Sequence, residues 1–145
     1  MANSTTFLPV AAYNHIEGKT IVASNTIDFS KEPTASGGTV DVLVIPQGAF
    51  VKRAGLVVHT TEASVTIALG DSASGTQFLA AKTLTDLKAN NNAGTADGGA
   101  MSVDAAQKFY GAANTLRLTI GGAQVDTAIV TAFAEYFIVP KSRAV

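Results

Sequence analysis

The sequence lacks cysteine and tryptophan altogether and has few charged side chains. Without cysteine there can be no disulfide, no thiolate ligand for zinc and no cysteine nucleophile. Charged residues make up 14% of the 145 residues, against about 25% in a typical domain. A surface with so little charge is a weak indication that part of it faces another protein.

The balance of charge also limits the partners. The chain has 10 Lys and Arg against 11 Asp and Glu, and the basic residues are scattered from Lys19 to Arg143. Nucleic-acid-binding proteins usually present a basic patch, so we expect no nucleic-acid partner. Residues 1–18 contain neither a basic region nor a long apolar run. We therefore predict neither a secretory signal nor a membrane span. We expect a chain made in the cytoplasm, with no membrane partner.

Catalytic and metal-binding patterns are also missing. The two histidines, His15 and His59, are far apart and lack HExxH spacing. Residues 70–74, GDSAS, resemble the G-x-S-x-G nucleophile motif, but end in serine and lack the strand-to-helix context, so they predict a turn. The Asn-rich segment 89–100 lacks the alternating acidic ligands of a calcium loop, so it predicts a flexible loop. We therefore expect no enzyme activity, no cofactor and no metal site.

Strand patterns dominate from residue 19 onward. Residues 64–70 (SVTIALG) and 115–120 (TLRLTI) alternate between apolar and polar side chains, which is typical of strands with one face in a core. With turn residues between such runs and no clear amphipathic helix, the sequence predicts an all-β protein. The strand spacing fits an antiparallel sandwich or barrel, and we predict an antiparallel β-sandwich, jelly-roll-like, with about eight strands and at most one short helix. The predicted core consists of Val65, Ile67, Leu69, Leu116, Leu118, Ile120, Ile129 and Phe133.

The last apolar run, residues 125–139, has two apolar faces. Ile129, Phe133 and Phe137 share one face, and small or apolar residues such as Ala132 and Ala134 share the other. A central strand buried on both sides explains this pattern, and so does a strand whose outer face packs on a partner subunit. The first explanation is the commoner situation.

Turn and bulge signals divide the sheet region. Pro46-Gln47-Gly48 predicts a tight turn and Gly121-Gly122 a hairpin turn, while Lys52-Arg53 marks a bulge or an edge. Residues 102–111 fit either a short helix or a strand. We divide the chain into an N-terminal arm, residues 1–18, and a single β-sandwich domain, residues 19–145.

The N-terminal arm contains one short apolar cluster, formed by Phe7, Leu8, Pro9 and Val10. It fits a mobile tail or a strand that covers the protein's own core. It also fits an arm that becomes ordered on docking, and these four residues are then candidate contacts to a capsid or to a neighbouring subunit.

The order of these features resembles a known family. VIPQGAFV, GLVVHTTEASVTIALGD, GTQFLA, KFYGAANTLRLTIGGAQ and the closing AFAEYFIV, across residues 38–139, are similar to the capsid decoration (cement) proteins of tailed bacteriophages, which have a jelly-roll-type sandwich. The resemblance implies a structural protein on the capsid exterior of a virion, made in the host cytoplasm. It implies binding to the major capsid protein and clamping of neighbouring capsomers. It also implies a homo-oligomer, with a trimer as first choice and a dimer as second.

Two other classes of function compete with this one. A carbohydrate-binding or tail-fibre-type receptor-binding module would use exposed Trp and Tyr side chains, and the chain has 3 Tyr and no Trp. A small enzyme on a sandwich fold would need the catalytic constellation that the sequence lacks.

Overall fold

The protein is described by a computed structural model over residues 19–92 and 107–139, in which strands are the main secondary structure. These described residues form eight strands and one helix, in chain order: β1 (Ile21–Asp28), β2 (Thr39–Ile45), β3 (Ala49–Thr60), β4 (Thr66–Gly70), β5 (Leu79–Thr83), α1 (Leu84–Asn92), β6 (Lys108–Phe109), β7 (Asn114–Gly121) and β8 (Ile129–Ile138). Among the described residues no helix is long and apolar enough to cross a membrane.

The strands form two four-stranded sheets. Sheet 1 has the order β1-β8-β3-β6 and sheet 2 the order β2-β7-β4-β5. All pairs are antiparallel, and β1 pairs with β8, β2 with β7, β3 with β6 and β4 with β5. This nested pairing is that of one long hairpin rolled into two layers, which is the eight-stranded jelly roll. The predicted all-β, jelly-roll-like sandwich is confirmed.

The core lies between the two sheets and follows the alternation of the strands. Sheet 2 contributes the predicted side chains of β4 and β7, all 0–1% exposed: Val65 just before β4, then Ile67, Leu69, Leu116, Leu118 and Ile120. Sheet 1 contributes inward residues of β3 and β8, among them Leu56, Val58 and Val130. Because side chains alternate across a strand, these residues form one face of each sheet.

The predicted inward face of β8 was wrong. Val130, Ala132 and Ala134 are buried against the core, whereas Ile129 and Phe133 lie on the outer face and are only half-buried. The strand is central, between β1 and β3, as expected. Small side chains point inward here because β3 and the opposite sheet already fill the space between the layers.

Each of two predicted turns connects a strand of sheet 2 to a strand of sheet 1. Gly48 connects β2 to β3 with φ +85°, and Gly122 follows β7 with φ +77°. Both conformations favour glycine because they crowd a Cβ atom. At Gly122 an added Cβ would also clash with the backbone oxygen of Ser64. Gly121-Gly122 is therefore not a hairpin turn, since β7 and β8 belong to opposite layers.

The structure also shows what the other sequence signals form: the bulge at Lys52-Arg53, the segment from residue 89 and part of residues 102–111. The register between β3 and β8 shifts between Val51 and Arg53, so the predicted bulge is confirmed. Helix α1 begins where the Thr83 hydroxyl accepts the backbone N–H of Asp86 at 3.2 Å, as an N-cap residue does. The helix covers Ala89–Asn92, where we expected loop. Within residues 102–111, Lys108–Phe109 form a strand.

Candidate interaction surface on the outer face of sheet 1

The outer faces of the two sheets differ in chemistry. The outer face of sheet 2 presents mostly small and polar side chains, with Thr119 half-exposed on β7 and Val44 exposed on β2. Asp41 and Arg117 pair across β2 and β7, with 2.6 Å between the carboxylate and the guanidinium. The bond to Arg117 lowers the pKa of Asp41. This face resembles an ordinary solvated surface.

The outer face of sheet 1 carries an aromatic surface, formed by Phe50, Phe109 and Phe137. Phe50 of β3 lies opposite Phe137 of β8 and opposite Phe109 of β6. Residues directly opposite each other on antiparallel strands point to the same side of a sheet. The rings of Phe50 and Phe137 are 5.3 Å apart between centroids, and Phe109 is 51% exposed. Phe50 and Phe137 are half-buried and Phe109 is the exposed ring of the three, and a contiguous apolar patch of this kind is a candidate interaction site.

Charged side chains lie directly beside the aromatic surface, at the bulge. Glu135 of β8 contacts Lys52 at 3.6 Å and Arg53 at 3.3 Å. The bulge places both consecutive basic side chains within reach of one carboxylate. The edge of the aromatic surface is thus marked by a small, mostly compensated group of charges.

A buried carboxylate holds β6, and with it Phe109, in place. The side chain of Asp71, which follows β4, is 0% exposed. Its Oδ2 accepts hydrogen bonds from the Lys108 ammonium and the Tyr110 hydroxyl, both at 2.7 Å. Lys108 and Tyr110 flank Phe109, so the two bonds fix this short strand on both sides of the exposed ring.

The hydrogen bonds around Asp71 favour its charged form. Burial raises the pKa of Asp71, but the hydrogen bonds from Lys108, Tyr110, Ser74 and Ala73 together lower it below its ordinary value. Burial and the neighbouring carboxylate raise the pKa of Tyr110, so its hydroxyl stays a donor. The GDSAS segment is therefore a turn, closed by bonds from the N–H groups of Ala73 and Ser74 to Asp71 Oδ1 at 2.9 and 2.8 Å.

A second carboxylate joins two loops elsewhere in the sandwich. Glu62 Oε2 accepts the backbone N–H groups of Asp126, Thr127 and Ala128 at 2.9, 3.0 and 3.2 Å. Burial raises the pKa of Glu62, but these bonds outweigh it and the net pKa is lowered. The bond and charge of Glu62 raise the pKa of Asp126. Both carboxylates are occupied in joining the loops before β4 and before β8.

Residues that hydrolytic or metal chemistry would use are dispersed. His59 is exposed and its Nε2 lies 2.7 Å from the Thr131 hydroxyl, as expected for a surface histidine. No group of three or more His, Cys, Asp or Glu that could hold a metal occurs among residues 19–92 and 107–139. An open pocket of about 180 Å³ on sheet 2 is lined by Thr66, Ala68, Gly75, Thr76, Ala81, Thr119, Ile120 and Gly121. None of these side chains is an acid or a base.

The predicted contact residues Phe7, Leu8, Pro9 and Val10 lie outside the described residues. Sequence reasoning missed the aromatic surface and the Asp71 site. The alternation of residues 49–53 assigns Phe50 to one face of its strand, and that of residues 133–138 does the same for Phe137. No local pattern in the sequence indicates that Phe109 lies beside them. Tyr110 and Lys108 are 39 and 37 residues from Asp71, so their pairing with it leaves no local signal.

Comparison with known proteins relates the fold to phage capsids. The sequence matches no protein-family model and no curated protein. Among solved structures, the chain is similar to one from the cyanophage Pam1 capsid asymmetric unit (TM-score 0.64, 16% identity, 96% of this chain and 98% of that chain). A second is from the acidic stable capsid structure of Helicobacter pylori bacteriophage KHP30 (0.60, 15%, 86% and 91%). A third is from the capsid of Ralstonia phage GP4 (0.58, 14%, 96% and 93%).

These likenesses concern the fold. At 14–16% identity over most of both chains, they define the class as a jelly-roll sandwich of the kind found in the capsid structures of those three phages.

Proposed function

We propose that this chain is a non-enzymatic virion structural protein that binds the outer surface of a tailed-phage capsid shell and clamps neighbouring capsomers. The observation that carries this proposal is the fold likeness to chains in three phage capsid structures, over 86–96% of this chain. Fold alone does not imply function, so the local chemistry must agree with it.

The local chemistry does agree. The described residues form a two-layer sandwich with an aromatic surface on one sheet, and the carboxylates of Asp71 and Glu62 join loops and strands. A protein of this kind acts by binding. It stabilises the assembled shell if it binds that shell more tightly than separated subunits.

The finer parts of the proposal follow the family resemblance. The partner is the major capsid protein of a tailed phage, and the site of action is the capsid exterior after synthesis in the host cytoplasm. The protein works as a homo-oligomer, with a trimer as first choice and a dimer as second. Several weak contacts to adjacent capsomers then add up through avidity.

Co-sedimentation with empty phage shells tests the function. We expect the protein to pellet with shells, to saturate at a fixed ratio to the capsid protein, and to raise the temperature at which shells dissociate. Dissociated capsid subunits serve as the control and should bind more weakly. Failure to pellet with shells, or equal affinity for shells and free subunits, would contradict the proposal.

The N-terminal arm provides a second test. Residues Phe7, Leu8, Pro9 and Val10 are proposed contacts to the shell or to a neighbouring subunit. Deleting residues 1–12 should leave the melting temperature almost unchanged, while the affinity for shells falls at least about tenfold, or roughly 1.4 kcal/mol. Shell binding as tight as that of the full chain would show that the arm makes no such contact.

A further inference from the structure

The aromatic surface is well placed to receive an apolar segment. It is a row across three strands, with Phe137 on β8, Phe50 on β3 and Phe109 on β6. Its side chains carry no charge, and the nearest basic residues are engaged, since Lys108 binds Asp71 and Arg53 contacts Glu135. An uncharged partner can therefore cover the surface without leaving a buried charge unpaired.

The N-terminal arm has the matching composition. Residues 1–16 contain no Asp, Glu, Lys or Arg side chain, and their apolar cluster is Phe7, Leu8, Pro9 and Val10. Pro9 lacks a backbone N–H and disfavours a continuous strand ladder. A segment of this kind attaches mainly through its side chains, and it needs an apolar surface to accept them.

The arm also starts at the right end of the sandwich. The first strand begins at Ile21, which pairs with Tyr136, next to Phe137. The chain therefore enters the sandwich at the end of sheet 1 where the aromatic surface lies.

The arm is long enough to reach a neighbouring copy. The eleven residues from Val10 to Ile21 span up to about 36 Å when extended. The protein's own aromatic surface lies one to three strand spacings from β1, or about 5–14 Å. A domain of this size has a radius of gyration of about 14 Å, which corresponds to a sphere about 36 Å across. The extended arm is thus long enough to reach the aromatic surface of a touching copy, and the proposed homo-oligomer supplies such a copy.

We infer that the aromatic surface of Phe50, Phe109 and Phe137 is the docking site for residues 7–10 of a neighbouring copy of this chain. This inference rests on the proposed function, because it specifies the subunit contact of the homo-oligomer. It assigns the arm to the neighbouring subunit and leaves the contact with the shell to other parts of the oligomer.

The absence of tryptophan allows a direct test. In a Phe7→Trp protein the indole is the single tryptophan, so its emission reports whether position 7 is buried. We expect emission blue-shifted from that of the denatured protein at high concentration. Dilution should reverse the shift in step with the fall in molar mass by light scattering.

Two further substitutions separate the docking site from the rest of the surface. Phe109→Ser, made in the Phe7→Trp protein, should abolish the blue shift and raise the dissociation constant of the oligomer at least about tenfold. Val44→Ser is the matched control, because Val44 is 74% exposed on the opposite sheet, and it should change neither measurement. Circular dichroism and melting curves check that each variant is folded.

A mixing experiment covers the case in which Phe109→Ser disturbs the strand. A chain lacking residues 1–12 keeps the docking site, and the Phe109→Ser chain keeps the arm. Each alone should be monomeric, and the mixture should form a one-to-one complex through a single arm contact.

Three results would overturn the inference: emission like that of the denatured protein at every concentration, a blue shift that persists in the monomer, or an oligomer that survives Phe109→Ser unchanged. The second result would assign the arm to its own chain. Shell co-sedimentation of the same variants is a separate measurement. A full-length protein that pellets with shells but shows no arm docking retains the proposed function and loses only this inference.

Discussion

Replacing Asp71 with alanine should lower the free energy of unfolding by about 3–5 kcal/mol, because four donors lose one buried, charged acceptor and each buried donor left unsatisfied costs about 1–3 kcal/mol. The side chain is 0% exposed and bonded to Lys108 at 2.7 Å. Its loss leaves the Tyr110 hydroxyl, in a side chain that is 3% exposed, without its acceptor, and an unsatisfied buried donor is costly. Urea unfolding of both proteins measures the difference.

A matched control is the exposed ion pair of sheet 2. Asp41 pairs with Arg117 at 2.6 Å, but its side chain is 50% exposed. Exposed pairs contribute about 0.2–1 kcal/mol, so Asp41→Ala should have a much smaller effect. Equal losses for the two variants would show that Asp71 is not an essential buried anchor.

The Asp71 site also predicts a dependence on pH. Its pKa in the folded protein is lowered relative to about 3.9 in the unfolded chain. A carboxyl group with a lowered folded pKa stabilises the protein above the unfolded pKa, and this contribution is lost as the pH falls through the folded pKa. The difference in stability between the natural protein and Asp71→Asn should therefore be largest near neutral pH and shrink below about pH 4. A difference that stays constant with pH would contradict the assigned charge state.

The strands could be predicted from the sequence because their alternation reflects a local physical cause. In β7 a half-exposed Arg117 and a half-exposed Thr119 alternate with Leu116, Leu118 and Ile120, all buried. The polarity of each residue in the strand follows the face to which its side chain points, core or solvent. The bulge at Lys52-Arg53 was readable for the same reason, since two consecutive basic residues break that alternation.

The pairing of strands and the choice of inner face depend on distant residues. Gly121-Gly122 has the chemistry of a hairpin turn, but the following strand belongs to the other sheet. In β8 the large Phe133 was expected inside, yet the interior accepts Ala132 opposite Leu56 of β3. The free volume beside a strand is set by its neighbours, which its own sequence does not contain.

The candidate site was the least predictable part. Phe109 lies in a strand of two residues, which is too short to show a period. Its position depends on the hydrogen bonds that Lys108 and Tyr110 donate to the Asp71 carboxylate, and Asp71 is far from both in the sequence. Composition indicated a surface with little charge, and only the packing of three strands identified which part of it is aromatic.

Truncating Leu118 to alanine is the other substitution with a large expected effect. Leu118 is 0% exposed and lies in β7, between β2 and β4. Its neighbours in register are Val40 and Leu69, and their backbones are held in the sheet, so they can collapse only partly into the space left behind. Removal of a buried leucine side chain under such conditions costs about 2–5 kcal/mol, through lost burial and the cavity that remains.

Urea unfolding should show this loss as a lower midpoint with an unchanged slope, because the surface exposed on unfolding hardly changes. Val44→Ala is the control, since Val44 is also in sheet 2 but 74% exposed, and surface substitutions usually stay within about 0.5 kcal/mol. A loss below about 1 kcal/mol for Leu118→Ala would mean that the two sheets do not pack tightly at this position. Because the aromatic surface is on the outer side of sheet 1, a folded Leu118→Ala protein should keep its self-association. Stability and docking can therefore be measured as separate properties of the same sandwich.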